Sequence, residues 1–227
     1  MPGPDPDHVR RFQRRLLRWY SRHGRDLPWR RTKDPYRILV SEIMLQQTQV
    51  DRVRRYYERF LRRYPTVEAL AASSPLQVRE AWDGLGYYAR ARNLHRTAQR
   101  VSEEHGGKVP DVPELIRRLP GIGRYTAGAV LSFAYGQDEP ILDTNAARVL
   151  SRAFGVRRRR SWSRYQRRLW QIAETVTPVG KAGRFNQAIM DLGATICQAR
   201  KPACTRCPVR ACCRSATPVA MGRQGPS

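Results

Sequence analysis

All five cysteines of the 227-residue chain fall within "CQARKPACTRCPVRACC", residues 197–213. No other feature limits so tightly what the chain can fold into. Three chemistries gather thiols this densely: disulfides, zinc and iron–sulfur clusters. An odd cysteine count leaves one thiol outside any set of disulfides. The opening stretch "MPGPDPDHVRRFQRR" lacks the apolar core of a secretory signal, so a reducing cytoplasmic, nucleoid-associated location is expected. Cys197, Cys204, Cys207 and Cys213 read C-x6-C-x2-C-x5-C. Zinc sites commonly pair two C-x2–4-C knuckles, and only Cys204/Cys207 makes one. Thiolates also hold [4Fe–4S] clusters. Spacing alone leaves zinc and iron–sulfur both open.

The charge balance narrows the partner. The formal net charge is +24, from 43 basic against 19 acidic residues. Only Lys33, Lys108, Lys181 and Lys201 are lysines, so arginine supplies nearly all of the positive charge. An arginine-favouring codon usage accounts for that ratio but not for the excess of basic over acidic groups. A field of this sign attracts phosphate backbones. No apolar run reaches the ~18–20 residues of a membrane span, and no basic segment carries a lipid-facing stripe, so no membrane partner is expected. A hydrophobic content of 41% suits a globular core in one large or two small domains.

Helix signals recur along the chain, with no convincing strand and no internal repeat. Asp34 is a candidate N-cap with Pro35 at the first helical position. "TQVD" reads as a capping box, Thr48 to Asp51, before a helix in which Val50, Val53, Tyr57 and Phe60 step by three and four. "SSPLQ" opens another at Ser74 that runs to Gly84. "PELIRRLPGIGRYTAGAVLSFAYG" predicts a short helix, a tight turn, and a second helix from about Arg124 to Tyr135. Asp143/Thr144 and Gly155 bracket a helix, and two more are expected over 162–176 and 184–196. The fold class is all-α. "RRRR" at 157–160 reads as a solvated loop or a phosphate contact, and the tail 216–227 as disordered.

In "LPGIGRYTAG", Gly121 and Gly123 permit a tight turn whose N–H groups, with Arg124, open the following helix. Such a helix N-terminus is an anion site. An ordinary helix–helix turn has the same sequence, but in a basic, strandless chain the stretch resembles the helix–hairpin–helix phosphate clamp of DNA repair enzymes. With the cysteine spacing it resembles the endonuclease III superfamily, in which the same interval binds [4Fe–4S]. "PWRRTKDPYRILVSEIMLQQTQV", "WDGLGYYARARNLH", "ILDTNAARVLSR" and "FNQAIMDLGATIC" extend the likeness over about residues 12–213, and are most similar to MutY-type adenine DNA glycosylases.

That resemblance implies a role for each matched residue. Cys197, Cys204, Cys207 and Cys213 would hold a [4Fe–4S] cluster, with Cys212 spare. Breaking an N-glycosidic bond requires an acid that keeps its proton near neutral pH. Glu42, among apolar residues near a helix end, suits that task because desolvation raises a carboxyl pKa. It matches the family's catalytic glutamate, which protonates adenine N7 and then assists the water. Asp143 has the sequence of a plain N-cap, and it also matches the family's second carboxylate, facing the sugar C1′. At ~4 Å and an effective dielectric of ~20, a carboxylate and a cation gain on the order of 4 kcal/mol before desolvation. Asn145 matches a residue that hydrogen-bonds the reacting nucleotide. Thr144 departs from the family, which usually has glycine there. Tyr125 stands where strand-cutting relatives carry a lysine nucleophile, which implies a monofunctional enzyme.

Gln46 and Gln47 match residues that enter the duplex at the orphaned base, Thr48 beside them is expected to bind DNA, and Tyr87 and Tyr88 follow the same family. The implied architecture is a six-helix barrel over 29–138 and a cluster domain from residues 1–28 and 139–215. The implied activity is excision of adenine mispaired with guanine or 8-oxoguanine by a monomer acting on double-stranded DNA. A thymine or uracil mismatch glycosylase and a non-catalytic DNA-binding module are the alternatives. The family usually continues into a further domain that inspects 8-oxoguanine. Here only fourteen residues follow Cys213, so opposite-base recognition is expected to rest on Gln46, Gln47 and their neighbours. Adenine opposite guanine is then expected to be excised at a rate nearer to that opposite 8-oxoguanine than in longer relatives.

Overall fold

The computed structural model describes residues 3–157 and 161–216, and among them the regular structure is entirely helical. The helices are α1 (Pro6–His23), α2 (Pro35–Leu45), α3 (Val50–Arg63), α4 (Val67–Ala71), α5 (Pro75–Ala81), α6 (Ala89–His105), α7 (Pro113–Ile116), α8 (Arg124–Phe133), α9 (Thr144–Phe154), α10 (Trp162–Val176) and α11 (Ala182–Thr195). Short 3-10 turns cover Cys204–Arg206 and Arg210–Cys212. No helix among the described residues is long and apolar enough to cross a membrane. The disordered tail expected from 216 lies outside the described residues from 217 on, as do Arg158, Arg159 and Arg160 of the arginine run.

The chain divides into two compact units. One comprises Gly24–Ile141 and Thr177–Gln187; the other comprises residues up to His23, Leu142–Val176 and residues from Ala188 on. In the first unit α2 packs against α3 and α8, and α6 against α4 and α5. Its core is built from Ile38, Leu39, Ile43, Phe60, Trp82, Leu94 and Val130, all but sealed from solvent. The hydrophobic α2 is buried nearly all round, as a central helix is. In the second unit α1 packs on α10, α10 on α9, and α1 on the turn at Arg210–Cys212. There His8 stacks on Phe154 with ring centroids 4.7 Å apart, and its Nε2 lies 2.6 Å from the Cys212 carbonyl oxygen. That pair ties the first helix to the cysteine segment.

Three helix starts carry the caps that their local sequence offers. The Asp34 carboxylate accepts from the N–H groups of Tyr36 and Arg37, and Pro35 follows it. Ser74 and Gln77 form a reciprocal capping box, although α5 stops at Ala81, three residues before Gly84. Asp143 caps α9, which Gly155 ends in the left-handed conformation. One expectation fails. The N-cap of α3 is Gln49, with no side-chain cap, and the Thr48 hydroxyl instead lies 3.5 Å from the Gln46 carbonyl oxygen. The chain around Gln46–Thr48 is a non-helical corner, so Thr48 turns back on the corner instead of forward into α3.

Candidate active site and thiolate pocket

Glu42 lies in the last turn of α2 at 2% exposure, between Ser41 and Ile43, which are equally buried. The Tyr125 hydroxyl, one residue into α8, donates to Glu42 Oε2 at 2.8 Å. α2 and α8 pack side by side and thereby fix this pair. In the same unit Gln46 Nε2 reaches Thr126 Oγ1 at 3.3 Å, so Gln46 is anchored to the helix that carries Tyr125. Gln47 is exposed, with φ +56°. Tyr87, 62% exposed, also has positive φ, +50°, and Tyr88 donates its hydroxyl to Asp83 at 2.7 Å.

The hairpin joins α7 to α8. Gly121 has φ +76°, and a Cβ there would come within 2.9 Å of Asn93. Gly123 differs: its φ is −85°, it caps α8, and a Cβ would meet open space. Thr97 Oγ1 donates to the Pro120 carbonyl at 2.9 Å and pins the turn to α6. Gly123 and Arg124 are exposed at the start of α8, the geometry of a helix N-terminus open to an anion.

Asp143, in the second unit, is bound on both oxygens. Oδ1 accepts from the Ala146 N–H at 2.6 Å and Oδ2 from Asn145 Nδ2 at 3.0 Å. Arg148 continues the chain of bonds: Nη2 donates to Asn145 Oδ1 at 2.7 Å and to the Gly193 carbonyl at 2.8 Å, and Nε to the Cys197 carbonyl at 2.8 Å. Gly193 has no side chain to spare, since a Cβ would lie 2.6 Å from Asn145 Cβ. One turn further, Arg152 donates to the carbonyls of Gln198 and Ala199 and lies 3.4 Å from Cys197 Sγ.

Cys197, Cys204, Cys207 and Cys213 line one cavity of about 140 Å³ with Val149 and Leu192. Cys212 does not line it, and its Sγ donates to the Val209 carbonyl at 3.3 Å. Among the described residues no three His, Cys, Asp or Glu side chains are gathered tightly enough for a single metal ion. The four thiols that line the cavity are the candidate donors of this unit for a metal group. Burial pushes the Cys207 thiol up to about 11 and raises Cys213 too, so a metal group binding here must displace protons.

The residues singled out from sequence thus fall into two sets. Glu42, Tyr125, Gln46, Gln47, Thr48, Tyr87, Tyr88, Gly121, Gly123 and Arg124 belong to the first unit; Asp143, Asn145 and the cysteines belong to the second. Sequence reasoning missed Thr126, Arg148 and Arg152. For the last two a signal existed: arginines four apart on the helix that Asp143 opens share one face.

A model of the HhH-GPD superfamily of base excision DNA repair proteins matches residues 40–175. The rat adenine DNA glycosylase is 44% identical over 224 residues, which cover 95% of this chain and 43% of that protein. A thymine-DNA glycosylase of Aeropyrum pernix is 40% identical over 213 residues, 92% of this chain and 96% of that one. The solved structure of a thermostable thymine-DNA glycosylase superposes with a TM-score of 0.84 at 33% identity, covering 92% of this chain and 97% of its own. The chain spans 40–58% of the length of the adenine DNA glycosylases it matches. On the extent of the family match and the full-length similarity to the Aeropyrum protein, the chain belongs to the HhH-GPD superfamily of base excision DNA repair proteins.

Proposed function

We propose that the chain is a monofunctional DNA glycosylase that removes adenine mispaired with guanine or 8-oxoguanine from double-stranded DNA. The observation that carries this reading is the sealed Glu42 carboxyl with the Tyr125 hydroxyl on Oε2. It offers an acid beside a phenol, with no amine at position 125 to attack the sugar. The target base leaves the stack, most cheaply at a mismatch. Glu42 gives its proton to adenine N7 as the C1′–N9 bond breaks, and the electron pair leaves with the base. The Asp143 carboxylate offsets the positive charge on the sugar. A water then adds to C1′ and returns a proton to Glu42, leaving free adenine and an abasic site.

Cys197, Cys204, Cys207 and Cys213 are the proposed ligands of a [4Fe–4S] cluster, with Arg152 as the donor beside the first of them. Bound there, the cluster would staple the segment and supply one-electron redox capacity. Four irons per chain in anaerobically purified protein are expected; stoichiometric zinc would overturn this assignment.

A second reading rests on a different relative: the thymine-DNA glycosylase of Aeropyrum pernix is 40% identical over 92% of this chain. Duplexes carrying A:G, A:8-oxoguanine, G:T or G:U, incubated and then cleaved with alkali, separate the readings. Adenine release from the first two is expected. Faster thymine or uracil release would move the chain to the second reading, and no release of any base would leave a DNA-binding module.

A further inference from the structure

Arg90, in the first turn of α6, is 8% exposed. Its guanidinium is met by main-chain carbonyls, and the two terminal nitrogens divide them by segment. Nη1 donates to the end of α2 and the corner after it: Ile43 at 3.2 Å, Met44 at 2.7 Å, and Gln46 in a close contact. Nη2 donates to the turn before α6: Leu85 at 3.2 Å and Gly86 at 3.0 Å. The cation also lies 5.5 Å from the ring centroids of both Trp82 and Tyr87, and Trp82 Nε1 donates to the same Gly86 carbonyl. A guanidinium fork presents its donors on separate nitrogens in a fixed plane and so spans two segments, whereas a lysine ammonium gathers three donors at one point.

The acceptors have a telling position. Among the described residues only two non-glycine residues have positive φ, Gln47 and Tyr87. Each directly follows a carbonyl that Arg90 holds, those of Gln46 and Gly86. Side chains in this backbone region are strained, and they persist only where their surroundings fix them. Both side chains are exposed, and neither is part of the core. A clamp that holds two strained, outward-facing residues in fixed register is out of place as a purely structural device.

We propose that Arg90 is a positioning residue that holds Gln47 and Tyr87 as one rigid pair for reading the duplex, without touching DNA itself. This rests on the reading that these two side chains meet DNA. It locates selectivity for a mispair, as distinct from general duplex affinity, in a buried arginine two segments away from the bases.

The first test uses the free protein, so its outcome does not depend on which base is excised. In hydrogen exchange of the wild type, the Thr48 and Leu85 amides, bonded to Leu45 and Trp82, should open as one unit with a common denaturant dependence. Arg90→Lys should speed exchange at both at least tenfold while amides of α8 keep their protection. Independent opening in the wild type, or acceleration at only one site, overturns the proposal. Should Arg90→Lys lose its fold, the wild-type comparison alone decides. The second test measures affinity for A:G and fully paired duplexes. Arg90→Lys should keep paired-duplex affinity within about twofold and lose at least tenfold of the preference for the mispair. Equal loss on both, or loss on neither, refutes the role. A wild type with no mispair preference would count against the proposed function and leave the exchange result standing as the test of the clamp.

Discussion

At Glu42 the proton and the hydrogen bond from Tyr125 can be removed separately. Glu42→Gln keeps the shape and the contact with Tyr125 but has no proton to give. Single-turnover excision should fall by at least the ~10²-fold typical of general acid catalysis, with duplex binding intact. Tyr125→Phe removes the hydroxyl bonded to Glu42 Oε2. Single-turnover excision should slow as the carboxyl loses that orienting partner, with duplex binding intact; an unchanged rate would show that the bond carries no weight in the reacting state. Asp143 separates capping from chemistry. Asparagine caps as well as aspartate, so Asp143→Asn should keep α9 and the melting temperature. Without the negative charge beside the sugar, excision should still fall by orders of magnitude.

Among the elements, the hairpin shows that its two glycines do different work. Gly121 serves stability, since its positive φ and the nearby Asn93 both oppose a side chain. Gly121→Ala should destabilise the protein by about 1–3 kcal/mol in denaturant unfolding. Gly123 has ordinary φ and open space around it, so Gly123→Ala should cost no more than about 1 kcal/mol as an N-cap change. It should nonetheless weaken duplex binding, because a methyl group then stands where a phosphate would approach the α8 N-terminus. Equal effects of the two substitutions on binding after correction for stability would contradict this division. The same contrast explains what the sequence disclosed. Caps are local chemistry, so Asp34, Ser74, Asp143 and Gly155 could be read directly, and with them α2, α5 and α9. α6 was not picked out by periodicity, because its buried face mixes Ala91, Leu94 and Ala98 with Arg90, His95 and Thr97. Thr48 misled because its hydroxyl had a nearer acceptor in a corner that Arg90 holds from 44 residues away. The two clamping arginines, Arg90 and Arg148, act on carbonyls, and a carbonyl has no sequence signature.

For the whole molecule, a net charge of +24 sets how the proposed encounter with DNA should respond to salt. Phosphate contacts release counterions, so the logarithm of affinity falls linearly with the logarithm of salt, with a slope near −0.9 per neutralised phosphate. With about 6–10 such contacts, affinity for a fully paired duplex should drop ~10³–10⁵-fold between 50 and 200 mM salt. The mispair should respond in parallel. Gln46, Gln47 and Tyr87 are uncharged, so whatever preference they supply is added on top of a common electrostatic term. The ratio of mispaired to paired affinity should therefore stay nearly constant as salt rises, while both absolute affinities collapse. At saturating DNA the excision step should hardly respond, because the proposed chemistry at Glu42 and Asp143 comes after encounter. Titrations by fluorescence anisotropy at four salt concentrations, paired with single-turnover rates at saturating enzyme, test the three statements together. A selectivity ratio that falls with salt would mean that arginines read the mispair directly, and would shift the specificity from the uncharged pair at Gln47 and Tyr87 to the basic surface.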